Sequence, residues 1–582
     1  MHEILTLQFG HFTNFIGTHF WNTQDSYFSY DLENAHEPGI LHDVLYRSGI
    51  TQKGIETYMP RLLVYDLKGG FGSIRKMNKL YEEDLSDNKE EIQQNQICLE
   101  IEEEAIINST KDPNMMEIDF EEKYFDLDES VKMWSDFNKI YYHPKSINRV
   151  TQYQYDDEFM PFDVFSFGKN AYLDHQKEDE NSFDENFRFF AEECDLIQGF
   201  QIITNLNDGF GGFSCGFVEQ LIEEYPKKSV LTFGINETLI KSSNHSHYIK
   251  NNLNTILSLI QLTDMSSMFI PMNEPSNNIL NNSEWNKFIH PNLDLSYHSS
   301  SIMSAVIEST ILPFRTRNNF MSMDSFIDKM NWLRNTKIGS LGAVFPLPIS
   351  VFGDINTKSL LPNNNIMHNF FEGQVKKKDN MSKLYSQSII LRGIPEIFHT
   401  ESNKPKLFSN DIINEIFQSF ESIKCPSNFK FSTSIAYPIP NSFPKYFNNN
   451  HLTIDGFIDS TKNPNLIVNQ KSSTTNENKP TVKEIPMLTH FTISNKPKLF
   501  LDQYKEFLNK LDFKNLKEYQ EGDKGIDFDE FLEIKESLCS LSEIYDQDDT
   551  LLIRTILTKG KWTEDCDENI IDSIPIYNGQ HG

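Results

Sequence analysis

The sequence predicts an α/β protein: a doubly wound parallel-sheet domain, then an α+β second domain, then C-terminal helices. Three observations carry this. Short apolar runs alternate with amphipathic stretches through the first half, glycines stand at the ends of those runs, and the second half turns to strand-like runs followed by helical ones. At 582 residues the chain is too long for one hydrophobic core.

Glu3–Phe9 reads as a buried strand, followed by Gly10 and a helical stretch from Asn14 to Trp21. A second strand, Arg61–Leu67, runs into a glycine-rich turn at Gly69–Gly72. A third, Gly199–Leu206, runs into the turn Asn207–Phe213, and an amphipathic helix over Phe217–Tyr225 leads to a fourth strand at Ser229–Ile235. Strand-like runs follow at Gly342–Ile349, Ser386–Ile394, Phe431–Ile439 and Met487–Ser494, with helices at Tyr504–Leu511 and from Asp529 to about Tyr545. Residues 82–129 carry charge without an apolar face and read as an acidic surface insertion. The polar stretches 355–382 and 466–484 read as long loops. The expected division is 1–325, 326–500 and 501–582.

The net charge of −31 excludes whole classes of partner. Nucleic acid is held by clustered Lys and Arg, and anionic lipid by polybasic segments, so neither is expected here. Six scattered cysteines (Cys98, Cys194, Cys215, Cys425, Cys539 and Cys566) form no CxxC pair, which points to a reducing compartment and away from zinc or a disulfide framework. No Lys or Arg precedes Arg47, and no apolar run reaches about 18 residues, so neither a presequence nor a transmembrane helix is expected. Glu521–Phe531 resembles the end of a calcium loop. With Glu530 as its last ligand, however, Lys524 falls where a glycine is needed and Tyr519 where a carboxylate is.

Six segments, in order, resemble tubulins. Met1, Glu3, Ile4, Gln8, Gly10, Asn14, Ile16, Gly17, Phe20 and Trp21 match the tubulin opening strand, nucleotide loop and helix without a gap. Tyr58–Arg75, Leu196–Phe213 with Ile222–Pro226, Asn254–Leu262 with Asn273-Glu274, His490–Phe500, and Phe531 to Tyr545 continue the match. The first start, the PRLLVYDLKGGFGS segment, the DGFGG corner and Trp134–Ile147 are similar to one branch of the tubulin and bacterial division-ring superfamily, the Misato/DML1 family. The resemblance implies a tubulin-like fold.

Tubulins hold GTP on backbone N–H groups at glycine loops and helix N-termini, where a Cβ would block close approach of the chain. The corresponding candidates here are Gly10, His11, Phe12, Asp66, Asn205, Gly209, Gly211, Gly212 and Asn273, and they depart from the pattern. Asp208 replaces a glycine, Phe210 replaces a phosphate-contacting threonine, and Lys68 replaces an acid beside the Asp66 position. Gly209, Gly211 and Gly212 are open to two readings, a degenerate phosphate cradle or a plain strand-to-helix turn. Asn273 either stacks beside a guanine, as its tubulin counterpart does, or caps the next helix. His11 reads as a loop residue rather than a catalyst. The loop that in tubulins supplies a hydrolysis-promoting acid aligns with Ala305–Phe314, where the expected position falls near Val306 and Glu308 lies two residues on.

The resemblance therefore implies a pseudo-GTPase with no assured cofactor, GTP remaining possible. It further implies a non-enzymatic role in mitochondrial distribution, morphology and inheritance, carried out in the cytoplasm and at the cytosolic face of the mitochondrion. The cytosolic chaperonin and tubulin-related proteins are the implied partners. The alternative is an active tubulin-like GTPase that polymerises.

Overall fold

A computed structural model of the chain describes residues 2–28, 39–50, 56–74, 127–177, 182–237, 245–277, 283–355, 366–371, 383–395, 409–421, 425–458, 481–522 and 525–546, with single residues at 280, 360 and 398. The acidic insertion (apart from 127–129), most of the two expected long loops, and the acidic tail with Leu551–Trp562 lie outside the described residues.

The first half builds one six-stranded sheet. Its strands are β1 (Ile4–Phe9), β4 (Leu62–Lys68), β5 (Ile147–Gln154), β6 (Gly199–Asn205), β7 (Ser229–Asn236) and β8 (Met268–Asn273), with a hairpin of β2 (Tyr46–Ile50) and β3 (Glu56–Pro60) alongside. The order is β5-β4-β1-β6-β7-β8 and every pairing is parallel. Strands buried on both faces carry continuous apolar runs, and successive residues feed opposite layers. Leu62 and Val64 join one core, whereas Leu63 and Tyr65 join the other. Helix α1 (His11–Asp25) covers the first face. Helices α2 (Phe165–Lys177), α3 (Gly209–Glu224) and α4 (His245–Met265) cover the second, which makes the sheet doubly wound as expected.

Helix α5 (Ser296–Ile311) lies on α1 and joins the halves, followed by the short α6 (Met323–Met330). Behind it stands a five-stranded mixed sheet of β9 (Ser340–Val344), β10 (His368–Asn369), β11 (Leu384–Arg392), β12 (Ser427–Thr433) and β15 (Met487–Ser494), in the order β10-β9-β15-β11-β12. Strands β13 (Tyr437–Pro438) and β14 (Glu484–Ile485) form a small pair beside it. One face of the mixed sheet contributes Leu341, Ile390 and Phe491 to the α1–α5 core, and the other is covered by α7 (Ser409–Glu421). Helices α8 (Pro497–Lys510) and α9 (Phe528–Ile544) return to the first half: Leu501, Leu508, Phe531 and Leu538 share a core with Leu253 and Leu257 of α4.

Three expected elements are corrected, one being the run Phe431–Ile439, which is not one strand because β12 ends at Thr433 and β13 holds only Tyr437–Pro438. The run Gly342–Ile349 is not one strand: β9 ends at Val344, and Pro346 brings no N–H to a ladder. The corner Asn207–Phe213 is not a turn, because α3 begins at Gly209 and holds the glycines in its first turn.

Candidate functional site

A cleft of about 510 Å³ opens at the carboxyl ends of β1, β5, β6 and β7, the end of a parallel sheet where α/β proteins bind ligands. His11, Phe12, Asn205, Asp208 and Phe210 all line it. The first strand's loop and the glycine corner after β6 thus share one pocket, as the sequence requires. Gly10 makes this possible twice over. Its φ of +114° is strained for other residues, and a Cβ there would lie 2.9 Å from the Asn205 side chain.

The phosphate end of the cleft is altered by Asp208. As the N-cap of α3, its Oδ1 accepts the Phe210 amide at 2.8 Å, and its Oδ2 accepts Asn205 Nδ2 at 2.8 Å. A helix N-terminus attracts anions through its unpaired N–H groups and its dipole, and here the chain fills that place with its own carboxylate. Burial pushes the Asp208 carboxyl up to about 6, against the opposing pull of Asn205 and the backbone amides. Helix α1 differs: Gly10 caps it without any side-chain hydrogen bond.

The three glycines in the first turn of α3 are explained by packing. A Cβ on Gly212 would meet the Phe165 carbonyl at 1.9 Å, and one on Gly211 would meet Ser258 Oγ at 2.1 Å. One on Gly209 would meet the Phe162 ring at 2.8 Å, and Gly168 of α2 faces the Gly209 carbonyl in turn. Helices α2 and α4 therefore crowd α3 to backbone contact. Phe210 is buried edge-on against Phe162, with ring centroids 5.0 Å apart.

Asp66 is fully buried and consumed by protein donors. Its Oδ2 accepts Trp134 Nε1 at 2.8 Å, His11 Nδ1 at 2.9 Å and Asn14 Nδ2 at 3.2 Å, while Oδ1 accepts the Leu67 amide at 2.8 Å. It does not line the cleft, and Lys68 points away as an exposed side chain. Asn273 ends β8, two strands from β6. Its Oδ1 accepts Asn236 Nδ2 at 3.2 Å, and it takes no part in lining the cleft.

The segment aligned with the hydrolysis loop is corrected outright. Ala305–Phe314 is no subunit-facing loop; it forms the buried end of α5 and the turn after it. Glu308, 0% exposed, ion-pairs with Arg315 and with Arg392 of β11. Tyr27 Oη donates to Glu308 at 2.9 Å and accepts Arg392 Nη2 at 2.7 Å. Burial opposes the charge on Glu308, yet the two guanidiniums and Tyr27 outweigh it and hold the carboxyl below its ordinary range.

The sequence did not single out several cleft residues. Tyr155 packs against His11 with the rings tilted by 35° and their centroids 4.1 Å apart, and its loop supplies Asp156, Asp157 and Glu158. Glu237, at the end of β7, is pushed up to about 8 by burial and by the Glu274 and Asp208 carboxylates. Asp163, Asp128 and Asp294 add further acid, with Asp163 paired to Lys250 and Asp128 to His298; Lys132 is the one lysine of the lining. The acidic run Tyr155–Glu158 was the available signal, but no spacing rule connects it to residue 11. Among the described residues no group of three Asp, Glu, His or Cys is placed to hold a metal, and no helix is long and apolar enough to cross a membrane.

This parallel sheet with glycine-bearing loops at one end, joined through a buried helix to a mixed sheet, defines a tubulin-like protein. A family model described as a tubulin domain matches residues 126–316, and one described as the Misato segment II tubulin-like domain matches residues 2–117. The chain is 32% identical to Protein DML1 of Gibberella zeae over 346 residues, 59% of this chain and 67% of that one. It is 34% identical to Protein DML1 of Coccidioides immitis over 333 residues, 54% of this chain and 59% of that one. Against Protein misato homolog 1 of Macaca fascicularis it is 26% identical over 599 residues, 94% of this chain and 99% of that one. The chain belongs to the Misato/DML1 family.

Proposed function

We propose that the chain is a non-enzymatic, tubulin-shaped protein that regulates mitochondrial distribution, morphology and inheritance from the cytosolic side, through the assembly of tubulin and the chaperonin that folds it. One observation carries the non-enzymatic part: the Asp208 carboxylate occupies the N-terminus of α3. A triphosphate entering there meets a fixed negative charge, and Glu308 is locked between two arginines where a water-activating acid was sought. The organelle part rests on family membership and on an acid-rich body that suits basic protein partners rather than lipid or nucleic acid.

The test is extraction of bound nucleotide from the natively purified protein, with equilibrium titration of GTP and magnesium and sedimentation of any polymer. The expected result is no bound GTP, no phosphate release and no filaments, together with a fraction of the protein on mitochondria that added protease removes. Micromolar GTP affinity with sedimentable filaments decides for the second reading, a polymerising GTPase. The side-chain-free N-terminus of α1 is the feature that favours that alternative.

A further inference from the structure

Resting on the reading that this cleft no longer serves a nucleotide, we infer that it binds an organic cation, a guanidinium or ammonium group carried by a free polyamine or by a basic side chain of a partner protein. The first observation is an orphaned acceptor. Asn205 lines the cleft with 2% exposure; its Nδ2 is spent on Asp208, and its Oδ1 has no hydrogen-bond partner. One of the two Nδ2 hydrogens is held by Asp208, and the unpartnered carbonyl oxygen can be satisfied only by a donor, which a ligand would bring. A buried acceptor left unpaired costs about 1–3 kcal/mol, so a donor arriving there is stabilised.

His11 repeats the pattern. Its Nδ1 lies 2.9 Å from Asp66 Oδ2 while Nε2 is buried without a partner, and in the tautomer that donates from Nδ1 the Nε2 atom is a second acceptor. The cleft they line also holds Asp208, Glu237, Asp156 and Glu158 against the single Lys132, so acid outweighs base there and the donor that fits is positively charged. A phosphate offers only acceptors and negative charge. The remaining wall is aromatic, with Phe12, Phe15, Tyr155 and Tyr297 on the lining. Ring faces attract a desolvated ammonium or guanidinium, and they are no ligands for a bare metal ion. The missing three-ligand metal geometry among the described residues agrees with that choice. Burial first, and then the Glu274 and Asp208 carboxylates, favour the protonated form of Glu237, and a docked cation would draw it back toward the ionised form.

The experiment is isothermal titration of the full chain with spermidine, with a short blocked peptide containing two arginines, with magnesium chloride, and with GTP plus magnesium. The comparison protein is Asp208→Asn/Glu237→Gln, in which asparagine still caps α3 and the cleft loses two carboxylates. Glu237→Gln alone, which leaves the cap untouched, serves if the pair fails to fold. Binding of spermidine identifies a free polyamine, and preference for the peptide identifies a partner's side chain. Either supports the inference if affinity falls about tenfold or more in the variant and weakens with salt. Silence toward both organic cations, equal affinity in the variant, or displacement of the organic cation by equimolar magnesium would overturn it. Tight GTP binding would instead overturn the pseudo-GTPase reading, so the two failures are told apart.

Discussion

Asp208 Oδ1 lies 2.8 Å from the Phe210 amide nitrogen, and through that contact the chain places its own anion at the N-terminus of α3. The substitution that removes a phosphate-facing glycine thus also strengthens the helix that follows it.

Asp208→Ala should therefore lose about 1 kcal/mol of stability, the usual effect of deleting an N-cap, whereas Asp208→Asn should stay within a few tenths. Urea unfolding measures both. Asp208→Gly, which reopens the helix end, should gain thermal stability from inorganic phosphate that the wild-type chain does not show; equal response of the two proteins refutes the self-capping account.

Glu308→Gln should destabilise by roughly 3–5 kcal/mol, because it leaves two buried guanidiniums without their carboxylate, and Arg392→Met should destabilise by less, since Arg315 still pairs with Glu308. Replacing Glu308, Arg315 and Arg392 together by Leu, Met and Met should recover most of that loss. Glu308 has a lowered folded pKa, so its contribution is present above the unfolded value and lost as pH falls through the folded one. Thermal melts of the single and triple variants check the pattern.

Glu237 titrates the other way. Its folded pKa of about 8 exceeds the ordinary 4.5, so the folded state binds more protons and stability declines as pH rises from about 4.5 to 8. Glu237→Gln should flatten that decline, gaining on the order of 1–3 kcal/mol at pH 8 relative to pH 5. Parallel slopes in the two proteins would count against it.

Gly212→Ala and Gly168→Ala should each cost about 3 kcal/mol, since their new methyl groups would meet backbone carbonyl oxygens that cannot swing aside. A phosphate-cradle role for Gly212 would instead leave stability intact, and a chemical denaturation curve distinguishes the two.

Much of the fold was legible where motif and apolar run coincide. The opening strand with its loop, β4, β6, β7 and β15 fall within a residue or two of where the sequence puts them. The outer strands were not. The edge strand β8 contains Pro271, which reads as a strand breaker and is tolerated only because an edge has a free side. The opposite edge, β5, is half polar and hides its period. The start of α3 was misplaced because glycine is a poor helix former; Asp208 and the crowding by α2 and α4 override that propensity. In the site, the sequence correctly brought Gly10 and His11 to Asp208 and Phe210. Beyond the acidic run Tyr155–Glu158 it gave no pointer to Tyr155 or Glu237, because strand order rather than spacing makes them neighbours.

The Glu308 cluster also dictates a sequence of events during synthesis. A nascent chain releases Glu308 and Arg315 well before Arg392, so while the ribosome is still working the carboxylate holds only one of its two guanidiniums. The first sheet cannot bury α5 in its final form until β11 arrives, and the segments α8 and α9 that close its far side come later still. Until α8 and α9 are made, Leu253 and Leu257 of α4 lack the apolar cover that Leu501, Leu508, Phe531 and Leu538 provide in the finished fold.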